Sequence, residues 1–278
     1  MSDIETYYTV LHPEEFAIDW RSFYHDANAR TDEVRREFRH VLDQRYGPEP
    51  KQAADVYLPR EAPGGPVFVF LHGGGFREGD RRQYGFVARP LLEAGIVVVV
   101  ASYRLTPQAT FPAQPSDAEQ LVVWTHRHIA TLGGDPRSLF VGGHSAGAIL
   151  SAFAGVNRSW MDQRSLPRSI LRAIVPVSGI YDLRDHPLDG YVDTAAQREQ
   201  ASPLLNVVDP PPSLVAVGGE EERFVGPAHD LSAALRAAGS ESQLLILDGA
   251  DHRQTVVALG DPTSPLAQEL VELIGREG

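Results

Sequence analysis

Short apolar runs rich in β-branched residues recur along the chain, at 54–58, 67–71, 96–101, 139–142, 173–177, 214–217 and 244–247. Most are apolar at successive rather than alternate positions, which is the pattern of strands buried on both faces. Helix-like stretches fill the intervals, near 81–93, 116–131, 146–155, 227–238 and 255–274, several of them bounded by Gly or Pro. Alternating strand and helix predicts an α/β fold with a mostly parallel central sheet and helices on both faces. No stretch repeats at a period of 20–50 residues and none is low in complexity, so residues 1–278 read as a single domain.

Two segments break the alternation. Residues 1–50 carry Phe16, Trp20, Phe23, Val34, Phe38, Val41 and Leu42 at helical spacing, which predicts an N-terminal, cap-like helical segment. Residues 181–209 are rich in Asp, Pro and polar side chains and read as an irregular insertion. Either segment can lie over the carboxyl ends of the strands, where open α/β sheets place their sites, or simply pack on the surface.

Composition removes several function classes. The chain has no cysteine, which excludes disulfides, thiolate catalysis and cysteine-ligated metal centres. Its 37 acidic and 25 basic side chains give a net charge of −12, and Lys51 is the one lysine. A surface for nucleic acid or anionic membrane is therefore disfavoured, since binding there begins with phosphate neutralisation. The acidic start Met1-Ser2-Asp3-Ile4-Glu5 and the absence of any apolar run near 20 residues predict a soluble, cytoplasmic protein. The apolar face of the last helix serves equally as core or as an interface, so a homo-oligomer is compatible with the pattern.

The sharpest local signal is Gly142-Gly143-His144-Ser145-Ala146-Gly147, directly after a strand-like run and before a helix-like one. This is a Gly-x-Ser-x-Gly nucleophile elbow in the context it requires: a tight strand-to-helix turn presents the serine hydroxyl, and the glycines leave room for the neighbouring backbone. The competing reading is a Gly-rich turn in which Ser145 merely caps a helix. A second signal, His72-Gly73-Gly74-Gly75-Phe76, again ends an apolar run. Acyl transfer builds negative charge on a carbonyl oxygen, and glycines let backbone N–H groups approach it. No Gly-Lys-Ser/Thr follows, so a phosphate loop competes poorly, and His72 reads as a structural hydrogen-bonding residue.

In this architecture the acid and then the base follow the serine in chain order. Of His144, His186, His229 and His252, the last sits in the loop after the final strand-like run and is the candidate base. The acid is sought in Glu220-Glu221-Glu222, after the run 214–217. Spacing from Gly218 favours Glu221, and spacing back from Phe224 favours Glu220. Asp248 and Asp251 lie close to His252 in sequence and are poorly placed to orient its ring.

With these parts in place, the chain resembles the α/β-hydrolase superfamily over nearly its whole length. His72 to Phe76, Tyr103-Arg104-Leu105-Thr106-Pro107 and Phe111-Pro112-Ala113 resemble the hormone-sensitive-lipase-like carboxylesterases. Gly143 to Gly147, Ser178-Gly179-Ile180-Tyr181-Asp182-Leu183, Ser202-Pro203-Leu204 and the stretch from Asp251-His252 to Asp261-Pro262-Thr263-Ser264-Pro265-Leu266 resemble kynurenine formamidase. Where the formamidases have an aromatic pair after two glycines, this chain has Gly75-Phe76. The resemblance implies Ser145 as nucleophile, His252 as base, and the N–H groups of Gly74, Gly75 and Ala146 as oxyanion donors. It implies no metal and no organic cofactor. Phe76 and Tyr181 are candidate pocket walls, and a small ester or formamide-like amide is the expected substrate, cleaved through an acyl-enzyme. A non-hydrolytic small-molecule-binding protein on the same fold is the competing reading; it need not retain base and acid.

Overall fold

Eight strands form one sheet in the computed structural model, which describes residues 20–61, 64–186, 188 and 190–278, the side chains of Trp20 and Arg21 excepted. In chain order they are β1 (Arg39–Arg45), β2 (Ala53–Leu58), β3 (Gly65–Leu71), β4 (Val97–Ala101), β5 (Gly134–His144), β6 (Leu171–Val177), β7 (Ser213–Gly218) and β8 (Ser242–Leu247). Their spatial order is β1-β2-β4-β3-β5-β6-β7-β8. β1 and β2 pair antiparallel, as do β2 and β4, and every pairing from β4 through β3 to β8 is parallel. The helices are α1 (Trp20–Glu37), α2 (Arg89–Glu93), α3 (Ala113–His128), α4 (Ala146–Val156), α5 (Ser159–Gln163), α6 (Ala195–Gln200), α7 (Glu222–Ala237), α8 (His252–Leu259) and α9 (Pro265–Glu277).

Successive strand residues feed opposite faces, which explains the continuous apolar runs. Val67, Val69 and Leu71 of β3 and Val215 and Val217 of β7 join the helices α3, α4 and α7 in one buried cluster. Phe68, Phe70, Val98, Val100, Leu214 and Ala216 point the other way, into a cluster with α1, α2, α8 and α9. Leu266, Leu270, Leu273 and Ile274 of α9 lie in that second core, so the apolar face of the last helix is covered by the chain itself.

The N-terminal segment departs from its reading. Helix α1 is present, with Phe23, Tyr24, Ala27 and Val34 buried on one face. Phe16 and the side chain of Trp20, assigned to the same face, lie outside the described residues. Val41 and Leu42 belong to strand β1 instead, an outermost strand exposed along most of its length. A polar edge strand has no apolar alternation to betray it.

The predicted helix 81–93 is two short 3-10 turns, at Arg81–Gln83 and Gly85–Ala88, followed by α2. At Gly85 a Cβ would meet the Tyr57 hydroxyl at 2.3 Å, so the chain turns there on glycine. The predicted helix 255–274 divides into α8 and α9 after Gly260, and Ser264 caps α9 with Pro265 in its first turn. The segment 181–209 contains α6, closed by a capping box between Thr194 and Gln197.

Candidate active site

Ser145 lies between β5 and α4 with φ 56° and ψ −116°, a conformation that costs a non-glycine residue on the order of 1–3 kcal/mol. Its N–H donates to Val177 O at 2.9 Å, which ties the turn to the end of β6. The side chain makes no capping bond to the helix, so the reading of Ser145 as a mere cap does not hold. Every residue from Ser138 to Ala152 is buried except Ser145, which reaches solvent.

The flanking glycines let three backbones converge. A Cβ on Gly143 would meet Gly147 O at 2.3 Å, and one on Gly147 would meet Leu71 O at 2.0 Å and His72 O at 2.7 Å. Both obstacles are backbone and cannot step aside. Gly147→Ala is expected to cost about 3 kcal/mol or more of unfolding free energy, read as a lowered urea midpoint. A variant as stable as the wild type would contradict this packing.

The loop after β3 rests on His72. Burial pushes its imidazole down to about 4, so it is neutral, and its Nδ1–H donates to Gly73 O at 2.7 Å. The ring stacks between Tyr84 and Tyr103, at centroid distances of 5.6 and 4.5 Å. His72 is thus a structural residue, as its position in the turn suggested. A Cβ on Gly73 would meet Ser145 Cβ at 3.2 Å, so the loop runs against the serine. Gly74 and Gly75 take φ of 119° and 57°, and the Gly74 carbonyl accepts the N–H groups of Arg77 and Glu78 at 2.9 and 3.0 Å. Ala146 opens α4, where a backbone N–H has no intrahelical acceptor.

Phe76 and Tyr181, the expected pocket walls, are both wholly buried. Phe76 stacks on Tyr191 at 3.8 Å, and the Tyr181 ring packs against Gly179. Burial pushes both tyrosine hydroxyls far up.

In the same loop, burial alone pushes the Glu78 carboxyl up to about 7, and its Oε2 has no hydrogen-bond partner. Its folded value lies above the unfolded one, so the folded state holds the extra proton and stability falls as pH rises from about 4.5 to 7. Glu78→Gln is expected to gain about 1–3 kcal/mol at pH 8, reduced by partial solvation, and almost nothing at pH 4. Urea melts at the two pH values check this; an equal gain at both would contradict it.

The predicted acid and base positions meet. The turn Gly218–Glu221 folds back so that the Gly218 N–H donates to Glu221 Oε2 at 2.6 Å. Glu221 Oε1 accepts a short hydrogen bond from His252 Nδ1. Glu221 is 5 % and His252 4 % exposed, whereas Glu220 and Glu222 face solvent. Of the three glutamates, the fold brings Glu221 to the histidine. Glu221 is also the N-cap of α7, which begins at Glu222, earlier than the predicted start at 227. Asp251 caps α8 through Gln254 N–H, and Asp248 is exposed. His229 is exposed on α7, and His186 lies in the 181–209 segment.

Several contacts had no local signal in the sequence. The His252 ring stacks on Phe224 at 4.6 Å and tilts against His144 at 4.5 Å. Burial, reinforced by His252, holds the His144 imidazole well below the usual histidine range, so it is neutral, and its Nε2–H donates to His252 O at 2.9 Å. The residue before Ser145 therefore clamps the backbone of the candidate base. Ser178 and Thr255, wholly buried, complete the cluster: Ser178 Oγ donates to Glu221 Oε2 at 2.6 Å, and Thr255 Oγ1 donates to His252 O at 2.9 Å.

Among the described residues, no group of three or more side chains is arranged to hold a metal ion, and no helix is long and apolar enough to cross a membrane. The chain is 27% identical to kynurenine formamidase of Danio rerio over 259 residues, covering 88% of this chain and 86% of that protein. It is 28% identical to the esterase LipC of Mycobacterium tuberculosis over 299 residues, covering 96% of this chain and 72% of that protein. The carboxylesterase EstE1, from a metagenomic library, superposes with a TM-score of 0.71 at 23% identity, covering 92% of this chain and 94% of that one. These relatives are hydrolases, and they support a hydrolytic enzyme. The model of the BD-FAE family matches residues 54–228. With that match over more than half its length, on an α/β-hydrolase fold, the chain belongs to the BD-FAE family.

Proposed function

We propose that the protein is a serine hydrolase that cleaves a small ester or formamide-like amide through an acyl-enzyme. The observation that carries this reading is the buried Glu221–His252 pair held beside the strained Ser145 turn. His252 is bound to the carboxylate through Nδ1, so exchange of a proton with Ser145 falls to Nε2. In the first half-reaction Ser145 Oγ attacks the carbonyl carbon as its proton passes to His252. The oxyanion is received by the N–H groups of Gly74, Gly75 and Ala146, and His252 then protonates the leaving alcohol or amine. In the second, water gives a proton to His252 as it attacks the acyl carbon, and His252 returns that proton to Ser145 Oγ as the Oγ–acyl bond breaks and the acid leaves. Glu221 holds the imidazole in the tautomer with hydrogen on Nδ1. Phe76 and Tyr181 act from behind, stiffening the oxyanion loop and the turn after β6.

A side-by-side rate assay with p-nitrophenyl acetate, p-nitrophenyl butyrate and N-formyl-kynurenine tests the reading. Turnover of at least one of them is expected. Formamide turnover well above that of the esters assigns a formamidase, and ester turnover alone a carboxylesterase. No turnover of any of the three contradicts the proposal and favours a binding protein.

A further inference from the structure

Ser178 is a residue that the hydrolytic steps above do not use, yet it sits in an unusual place. It follows the last residue of β6 and takes φ 55°, the left-handed region that glycine occupies freely. Its N–H donates to Ala216 O at 2.8 Å, fixing it to β7, the strand that leads into Glu221. Its hydroxyl is wholly buried and donates to Glu221 Oε2 at 2.6 Å, with Thr255 Oγ1 3.0 Å away on the other side. The preceding residue, Val177, accepts the Ser145 N–H through its carbonyl at 2.9 Å. Two consecutive residues at the end of β6 therefore hold the nucleophile's backbone and the acid's side chain.

A carboxylate with one oxygen engaged can swing about its last bond. Here Gly218 N–H and Ser178 O–H both occupy Oε2, which leaves Oε1 aimed at His252 Nδ1. The Gly218 bond is local to the Glu221 turn and moves with it. The Ser178 bond comes from another strand and relates the carboxylate to the nucleophile turn. Glycine would sit unstrained at this φ; what the serine adds there is a hydroxyl oxygen placed wholly among buried partners.

We propose that Ser178 is the positioning residue of this site: its hydroxyl fixes the orientation of the Glu221 carboxylate, and through it the His252 ring, relative to Ser145. This rests on the serine-hydrolase reading for its kinetic arm and on the geometry alone for its spectroscopic arm.

The test uses Ser178→Gly, which removes the hydroxyl and suits the positive φ, beside Ser178→Ala, which removes the hydroxyl and keeps the strain. A hydrogen bond to a buried carboxylate corresponds to roughly 10–100-fold in rate. Both variants are expected to lose about that much in kcat on a p-nitrophenyl ester with KM within about twofold, and Ser178→Gly to melt no lower than Ser178→Ala. In proton NMR, the downfield resonance of His252 Nδ1–H, assigned by its absence in Glu221→Gln, is expected to move upfield or broaden in both. Wild-type kcat and an unshifted downfield proton in Ser178→Gly would overturn the proposal. Should the wild type turn over no ester, the serine-hydrolase reading fails, and the downfield proton still decides whether Ser178 holds the Glu221–His252 pair.

Discussion

Ser145→Ala is expected to lower kcat by about 10⁴–10⁶-fold, with KM little changed and the melting temperature near that of the wild type. Alanine keeps the backbone at φ 56° and the buried packing of the turn, and only the hydroxyl goes. That hydroxyl makes no capping bond, so its loss takes no cap from α4, and on the proposed reading it takes away the nucleophile. His252→Ala is expected to fall by a similar factor, and the double variant no further, because nucleophile and base act as a unit. Michaelis–Menten kinetics on the three proteins check this. A Ser145→Ala enzyme within tenfold of the wild type would contradict it.

Glu221→Gln is expected to lower kcat by about 10³–10⁴-fold, while Glu220→Gln and Glu222→Gln stay within about twofold. Both Glu221 oxygens receive hydrogen: Oε1 from His252 Nδ1, Oε2 from Ser178 O–H and Gly218 N–H. An amide offers one oxygen and one NH₂, so one set of donors must face a donor. If the NH₂ faces His252, the ring is driven to the tautomer with hydrogen on Nε2, which cannot take a proton from Ser145. If it faces the other way, Ser178 and Gly218 are left opposed in a buried site. Glu220 and Glu222 already lie in solvent. Equal losses at Glu220 and Glu221 would contradict the assignment.

How much of this was legible depended on the range of each requirement. The elbow and the glycine loop can be read from a few residues because their demands are local: Gly147 is there because Leu71 O leaves no room for a Cβ, and Gly74 because the turn needs a positive φ. The strands of the parallel part show themselves as apolar runs because both sheet faces are covered. The three consecutive glutamates carry the same local signal. The fold selects one by turning the Glu221 carboxylate back onto Gly218 N–H, while its two neighbours point to water. Ser178 lies 43 positions from Glu221 and 77 from Thr255, and the three come to one place only once β6, β7 and α8 converge, with Ser178 between the other two, so spacing along the chain could not assign them. Strand β1 escaped for the opposite reason: at the sheet edge it buries too little to show a pattern.

Intact-mass and peptide-mapping spectrometry after reaction with an organophosphate that phosphorylates active serines tests the central claim most directly. One adduct per chain is predicted, on Ser145, absent from Ser145→Ala and formed far more slowly in His252→Ala. An adduct on another residue, no adduct at all, or one that forms as fast without His252 would contradict the account.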